Sequence, residues 1–481
     1  MNAKPGRGAG QGAIVIQVPA ELKSLAESLE RLIATTGEQI SQAGPRNAID
    51  YSRVETEIAS ATGAIERAAH SEVLRRLDVD APRVTIGGKA FARTGRFPGA
   101  YHTRCGDVVL ERSTYRELGK RNAGTVDAIS LRAGTYGSGW LPQAAASIAF
   151  LLQQGTCREA HATARQLSVL PYCTATLDRV AHEFGRNWVR RHADIEDQLV
   201  EGLEIPGATT VVSMSIDRVA VPMEEAKKRS VGRPRKDAPK RPIDRVYRMA
   251  YCAVLTLHDK EGEPLASIRY GSMAGSQGAE ISAGMAGDLS VVLRRHPGLQ
   301  VALLADGAHE MWTLLERHLP PDLEPHQLID FYHLMEKLAP AAAVLHGVES
   351  AKAIKSWKQR LMRSSSAAES ILDELCASGL EYHRIGGDAP IHDAITYLRN
   401  HAARMDYAAA RRRGLPIGSG AVEATCKTVV STRMKRSGSR WKEETGEHII
   451  RLRAVAQSDD RWDSAMDLLH AGQRTGVTTA A

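Results

Sequence analysis

Val301–Trp312 reads VALLADGAHEMW, and the fold turns on how that stretch is read. Val301 to Ala305 is an unbroken apolar run with the length and branching of a buried strand. Asp306 and Gly307 end it, after which the pattern becomes helical. A carboxylate therefore stands where a core strand stops. In open α/β sheets ligands gather outside the carboxyl ends of the strands, so a charge placed there is held rigidly and stays wet. Two further stretches can bring acids to the same place. In Thr209–Val221, TTVVSMSIDRVAV, Asp217 interrupts a strand-like run. In Leu415–Lys427, LPIGSGAVEATCK, Ser419 and Gly420 can open a helix that carries Glu423 near its start. Asp217, Asp306 and Glu423 are the candidate catalytic residues and metal ligands.

The flanking pattern places these acids in an order of elements. Thr209–Val221, Tyr247–Leu257 and Pro264–Met273 read as three strands, with His258–Glu263 a hairpin-like turn between the last two. Ala279–His296 reads as a helix, Leu299–Ala305 as a fourth strand, Met311–His318 as a helix, and His326–Tyr332 as a fifth strand leading into Leu334–His346. Three strands followed by alternating helices and strands is the order of an RNase H-like mixed sheet, so the expected class is α/β. In that order the first and fourth strands lie side by side and their carboxylates meet. The pattern predicts a catalytic core over 206–345 and 414–470, interrupted by a helical insertion over 346–413, with a disordered tail over 471–481.

The N-terminal part is mainly helical and is expected to bind DNA. Residues 1–82 hold a glycine-rich, disordered start and two helical patterns, Val18–Ile33 and Ser52–Leu77. Residues 83–140 alternate like a small antiparallel module, in which His102 and Cys105 are too few ligands for a zinc ribbon. Within 141–205, Ala160–Leu167, the break at Ser168–Pro171 and Tyr172–Phe184 have the rhythm of a helix-turn-helix. Arg186, Arg190 and Arg191 follow where phosphates would lie; ordinary helix packing gives the same rhythm.

Composition narrows the classes. The chain has 481 residues, 63 Lys and Arg against 56 Asp and Glu, and a net charge of +7, a modest excess that suits a polyanionic partner. Its six cysteines are scattered without a CxxC pair, as in a reduced compartment. No apolar run is long enough to span a bilayer and the N-terminus lacks a signal peptide's apolar centre, so no membrane partner and a cytoplasmic, nucleoid-associated location are expected. With 5% aromatic residues there is little for sugars to stack on, which disfavours a two-carboxylate glycosidase. Gly418–Thr428 ends in Lys-Thr like a phosphate-binding loop, but Ala421 and Cys426 stand where that loop needs glycine.

Three carboxylates that meet at strand ends suit paired divalent ions. Two Mg²⁺ per site, with Mn²⁺ as a substitute, can activate a water or a 3′-hydroxyl and stabilise the leaving oxygen of a phosphodiester. The basic runs fit such a substrate. Thr432–Trp441, TRMKRSGSRW, supplies Arg433, Lys435, Arg436 and Arg440 for phosphates and Trp441 to pack or to stack on a base. Gly232–Arg235, followed by Lys236, has the Arg-Pro-Arg core of a minor-groove hook, with Arg233 and Arg235 as its cations.

SIDRV at Ser215–Val219, LADGAHEMW at Leu304–Trp312, LIDFYHLMEKL at Leu328–Leu338 and LPIGSGAVEATCK together resemble the bacterial insertion-sequence transposases of the DDE superfamily, in the Kra-type group related to Mutator-like elements. The resemblance covers roughly residues 205–460. It implies DNA cleavage and strand transfer with catalytic acids at Asp217, Asp306 and Glu423, double-stranded DNA as partner, and a dimer or larger assembly on it. Asp330 and His333 match the Asp-x-x-His signature of many such enzymes, as accessory residues. A catalytically silent DNA-binding descendant, and a nuclease or resolvase without joining activity, are the alternative readings.

Overall fold

The computed structural model describes residues 17–43, 48–226 and 243–479, and the chain divides into two units. The first comprises residues 1–145, 161–173 and 472–481; the second comprises 146–160 and 174–471. The hook-like Arg233, Arg235 and Lys236 lie outside the described residues.

In the first unit, α1 (Lys23–Gln42) and α2 (Tyr51–Arg75) lie against each other, tied by Ser24 Oγ to Glu72 and Gln39 Nε2 to Glu57, both at 2.6 Å. The alternating stretch beyond them forms an antiparallel sheet from β1 (Arg83–Ile86), β2 (Lys89–Thr103), β3 (Gly106–Glu117) and β4 (Thr125–Asp127). Its buried side chains fall in two apolar clusters, Tyr101 and Leu110 in one and Tyr115 in the other, all fully or nearly buried. Asp127 accepts from Ser130 N at 2.7 Å and so caps α3 (Ala128–Ala133). The tail expected to be disordered contributes a strand instead: Val477–Thr479 pairs with β1, Thr479 opposite Val84. Three residues are too few to show a period, and only the open edge of β1 makes them a strand. The unit therefore joins residues that the sequence divides at 82 and at 471.

Most of α4 (Pro142–Gln154) belongs to the second unit, α5 (Cys157–Gln166) is divided between the two, and all of α6 (Thr174–Glu201) lies in the second. There the chain forms a mixed sheet: β5 (Val211–Ala226), β6 (Ile243–His258) and β7 (Pro264–Ser272) run antiparallel in succession. α7 (Ala279–Arg295) leads to β8 (Gln300–Ala305), and α8 (His309–Glu316) leads to β9 (His326–Ile329). The strand order is β7-β6-β5-β8-β9, with β8 parallel to β5 and β9 parallel to β8. Each parallel neighbour needs a crossover, and the helix before it supplies one. The fifth strand is shorter than its apolar run promises, because Asp330 stops it and caps α9 (Phe331–His346).

Four helices follow: α10 (Ser350–Leu361), α11 (Ala367–Ala377), α12 (Pro390–His401) and α13 (Tyr407–Arg412). They are not a detached appendage, since Trp357, Ile371, Ile395 and Tyr407 are buried in one apolar cluster with Val212, Leu303 and Leu328 of the sheet. α14 (Gly420–Thr425) then runs through a π-helical stretch, Cys426–Ser431, into α15 (Thr432–Met434), and α16 (Glu443–Ala456) and α17 (Arg461–Ala471) close the unit.

The helix, break and helix expected over Ala160–Phe184 are present as α5 and α6, but α6 is longer than the second helix of that motif. It opens at Thr174 as expected but continues for 28 residues, and Leu177, Phe184 and Trp188 on its apolar face are buried where it packs on α16 and α17. Of the arginines expected on phosphates, Arg186 pairs with Glu444 at 3.0 Å and Arg191 donates to the Leu469 carbonyl at 3.0 Å. A buried stripe that long belongs to a core helix.

β5 and β6 also outrun their neighbours. β8 pairs with β5 only as far as Ser215, and β7 pairs with β6 only from Tyr251 onward. The remainder of the two strands forms a two-stranded arm. Among the described residues no helix is long and apolar enough to cross a membrane.

Candidate active site

The register between β5 and β8 sets Ser215 opposite Leu304. Asp217 stands two residues beyond that pair on β5, where β5 has just left β8, and Asp306 follows the last residue of β8, so two adjacent parallel strands present a pair of acids where their pairing ends. Asp217 Oδ1 accepts from Arg218 N at 2.7 Å, and Cys426 Sγ lies 3.6 Å from Oδ2. Burial pushes the Asp217 carboxyl above its ordinary range, and the nearby charge of Asp306 adds to the shift.

Asp306 sits in a braced turn. Its Oδ1 accepts from Ala308 N at 2.9 Å, and its carbonyl accepts from Trp312 Nε1 at 2.8 Å. Gly307 is required by a close approach: an added Cβ would come within 2.6 Å of the Tyr397 ring and 2.9 Å of His401 Nε2. Both residues come from α12, so the insertion lies directly on the turn that aims Asp306.

Glu423 lies in the first turn of α14, with its side chain half exposed. The stretch beyond it brings Cys426 against Asp217, which fixes the glutamate's helix to β5. Asp330 fixes the other end of that helix. Its Oδ1 accepts from His333 N at 2.7 Å, while Oδ2 accepts from Ser419 N, the residue that precedes α14. Asp330 is fully buried, and burial would push its carboxyl up. Hydrogen bonds from His333 and Ser419 outweigh that and hold it at about 2.

His333 stands among the acids, with Nδ1 3.5 Å from Asp330 Oδ1 and 3.9 Å from Glu423 Oε1. Its hydrogen bond with Asp330 lifts the imidazole to about 9, with the charges of Asp330, Glu336 and Asp306 contributing in the same direction. Among the described residues Asp330, His333 and Glu423 are the one group of three whose ligand-type atoms all lie within 4.8 Å of one another. Asp217, Asp306 and Glu423 are spread more widely, and a site for two ions about 4 Å apart needs that wider spread.

Several residues around the site have no local signal. Tyr397 and His401 reach Gly307 from a helix roughly 90 residues away. Arg218 is spent on Glu310, which also accepts from Tyr251 OH at 2.6 Å, so neither charge faces outward alone. Cys252 sits opposite Asp217 on β6, fully buried.

The basic segment after α14 divides in two. Arg433, 7% exposed, donates through Nε to the Leu152 carbonyl at 3.1 Å and lies over the Trp441 ring, 4.7 Å from its centre. Trp441, 8% exposed, donates through Nε1 to the Met434 carbonyl at 3.1 Å. Neither presents a surface to DNA, which corrects the expectation for both: each is buried, and Arg433 Nε and Trp441 Nε1 already have partners inside the chain. Arg436 holds Glu159 through two bonds, at 2.5 and 2.6 Å. Lys435 and Arg440 are exposed, with no ionic partner among the described residues.

No protein-family model matches the chain, and no curated protein matches it. One solved structure that it matches is the Mos1 transposase paired-end complex with left transposon end, at 13% identity, covering 57% of this chain and 96% of that one, with a TM-score of 0.14. Backbones that superpose so poorly carry no argument about fold or function.

Proposed function

We propose that the second unit is the catalytic core of a DNA transposase with an RNase H-like fold and a DDE acid set, Asp217, Asp306 and Glu423. The observation that carries the reading is the strand order β7-β6-β5-β8-β9, which brings the acids of the first and fourth strands to one sheet end. A carboxyl pushed up by burial and a neighbouring acid, as Asp217 is, would be relieved by a bound cation. The donor chemistry, three carboxylates of which one is half exposed, fits Mg²⁺. Magnesium, when bound, would supply Lewis-acid polarisation of the phosphate and a more acidic water or hydroxyl.

The chain's own residues provide the rest. Asp217 would hold the ions from within β5 and Asp306 from the end of β8, and Glu423 would close the site from the start of its helix. Asp330 is a positioning residue that orients α14 through Ser419 N. His333 places a positive charge beside Glu423. Cleavage at an element end and joining of the freed 3′-hydroxyl to target DNA are both in-line displacements at phosphorus, so one centre serves both. Bringing two ends together calls for at least two copies of the chain.

The test is Mg²⁺-dependent cleavage and joining of labelled DNA carrying the ends that flank the coding sequence, with wild type beside Asp306→Asn. A joined product in wild type that is lost in the variant supports the reading. Cleavage without joining would make the chain a nuclease. DNA binding with no reaction in wild type would make it a silent descendant.

A further inference from the structure

With Trp441 buried, the basic segment lacks the aromatic surface expected of it, and the arm of β5 and β6 supplies another. Tyr247 is 71% exposed and stands opposite Pro222 in the register, so both occupy one face of the arm. Across from them runs the turn Lys435–Arg440, and between arm and turn lies a cleft of about 520 Å³. Its rim is fixed. Trp441 N donates to the Pro222 carbonyl at 3.1 Å, and Glu224 N donates to the Trp441 carbonyl at 2.8 Å, so the end of the turn joins the arm as a short added strand.

We infer that this cleft takes an unstacked base of a DNA strand, with Tyr247 as its stacking face and Lys435 and Arg440 on the adjoining phosphates. The inference rests on the reading of the chain as a DNA-processing enzyme and adds a contact away from the acids. Lys435 and Arg440 have no carboxylate to neutralise them among the described residues, so the cleft carries net positive charge where a phosphate would bring the opposite sign. An intact duplex hides its ring faces inside the stack; a cleft walled by an open aromatic ring accepts a base only when that base is swung out or single-stranded. An acidic peptide would satisfy the cations but leave the Tyr247 ring in water. Pro222 is five strand residues beyond Asp217, roughly 16 Å at the rise of a strand. The unstacked base therefore lies about five base steps from the phosphate at the acids.

The experiment measures binding of the full chain to labelled element-end duplex and to the same duplex with one unpaired nucleotide moved along it. The expected result is about ten-fold tighter binding when the unpaired nucleotide reaches the right position, a preference lost in Tyr247→Ala and kept in Tyr247→Phe, which retains the ring. Lys435→Ala and Arg440→Ala should weaken both DNAs and each lower the salt dependence by about one counterion. A wild type without preference for any unpaired position, or a Tyr247→Ala variant that keeps the preference, would overturn the inference while leaving duplex binding and strand transfer standing. Failure of the wild type to bind either DNA would overturn the parent reading and this one together. Binding of an acidic peptide that competes equally with both DNAs and is indifferent to Tyr247 would also overturn it.

Discussion

Asp306 and Asp330 follow the last residues of neighbouring parallel strands, and Asp330 N donates to the Ala305 carbonyl at 2.9 Å across the gap between them. Their surroundings differ completely. Asp306 receives one backbone donor, Ala308 N, among the described residues, and shares its end of the sheet with Asp217. Asp330 is fully buried with both oxygens occupied, one on the start of α9 and one on the approach to α14. A strand end makes an acid rigid, but the number of backbone donors it already holds decides whether it can take a cation. On this comparison Asp306 belongs to the chemistry and Asp330 to the architecture that supports it.

The largest expected effect separates these roles. Asp217→Asn or Asp306→Asn should cut strand transfer by about 10³-fold or more without lowering the melting temperature, on the scale of removing an electrostatic stabiliser from a reacting centre. A gel-based joining assay beside a thermal melt reads both, and an equally active Asp306→Asn would break the comparison.

Asp330→Asn should act on stability instead. Asp330 has a depressed folded-state pKa of about 2, so its contribution is present above the unfolded carboxylate value and is lost as pH falls through about 2. The expected loss in Asp330→Asn near neutrality is about 2 kcal/mol, with a flatter fall in stability between about pH 4 and 2. Urea unfolding of both proteins across that window measures it.

Gly307→Ala probes the contact that aims Asp306. The added methyl meets Tyr397 and His401, and an overpacked turn should cost about 1 kcal/mol, with joining activity falling further than stability explains. Restoring room with Tyr397→Leu in the same chain should recover part of both.

The smallest effect belongs to His333. Its folded-state value, raised to about 9 first by Asp330, means that its stabilising charge is fully present below its unfolded value near 6.5 and disappears as pH rises through 9. His333→Gln should therefore remove a shallow decline in denaturant midpoint between about pH 6.5 and 9. An unchanged slope would show that the imidazole is not charged beside Asp330.

Much of this is legible in the sequence, for local reasons. The run that ends at Asp306 is apolar on every residue and is a buried strand; the three strands before it pair antiparallel in succession. Ser419 and Gly420 announce the helix that carries Glu423. What cannot be read depends on distant partners. Asp330 looks like any helix cap until Ser419, 89 residues later, donates to its second oxygen. Arg433 and Trp441 read as a DNA-facing pair, yet the carbonyl of Leu152 and the edge of β5 claim them. The reach of α12 to Gly307 has no signature in either segment, and α6 shows its burial only once α16 and α17 lie against it.

The central claim is tested most directly by counting bound Mn²⁺, as a spin-active substitute for Mg²⁺, by electron paramagnetic resonance titration of wild type, Asp306→Asn and Asp330→Asn. The account expects wild type and a folded Asp330→Asn to bind alike, and Asp306→Asn to lose at least one ion or to bind ten-fold or more weakly. Unchanged binding in Asp306→Asn, or loss of the ions in a folded Asp330→Asn, would contradict it.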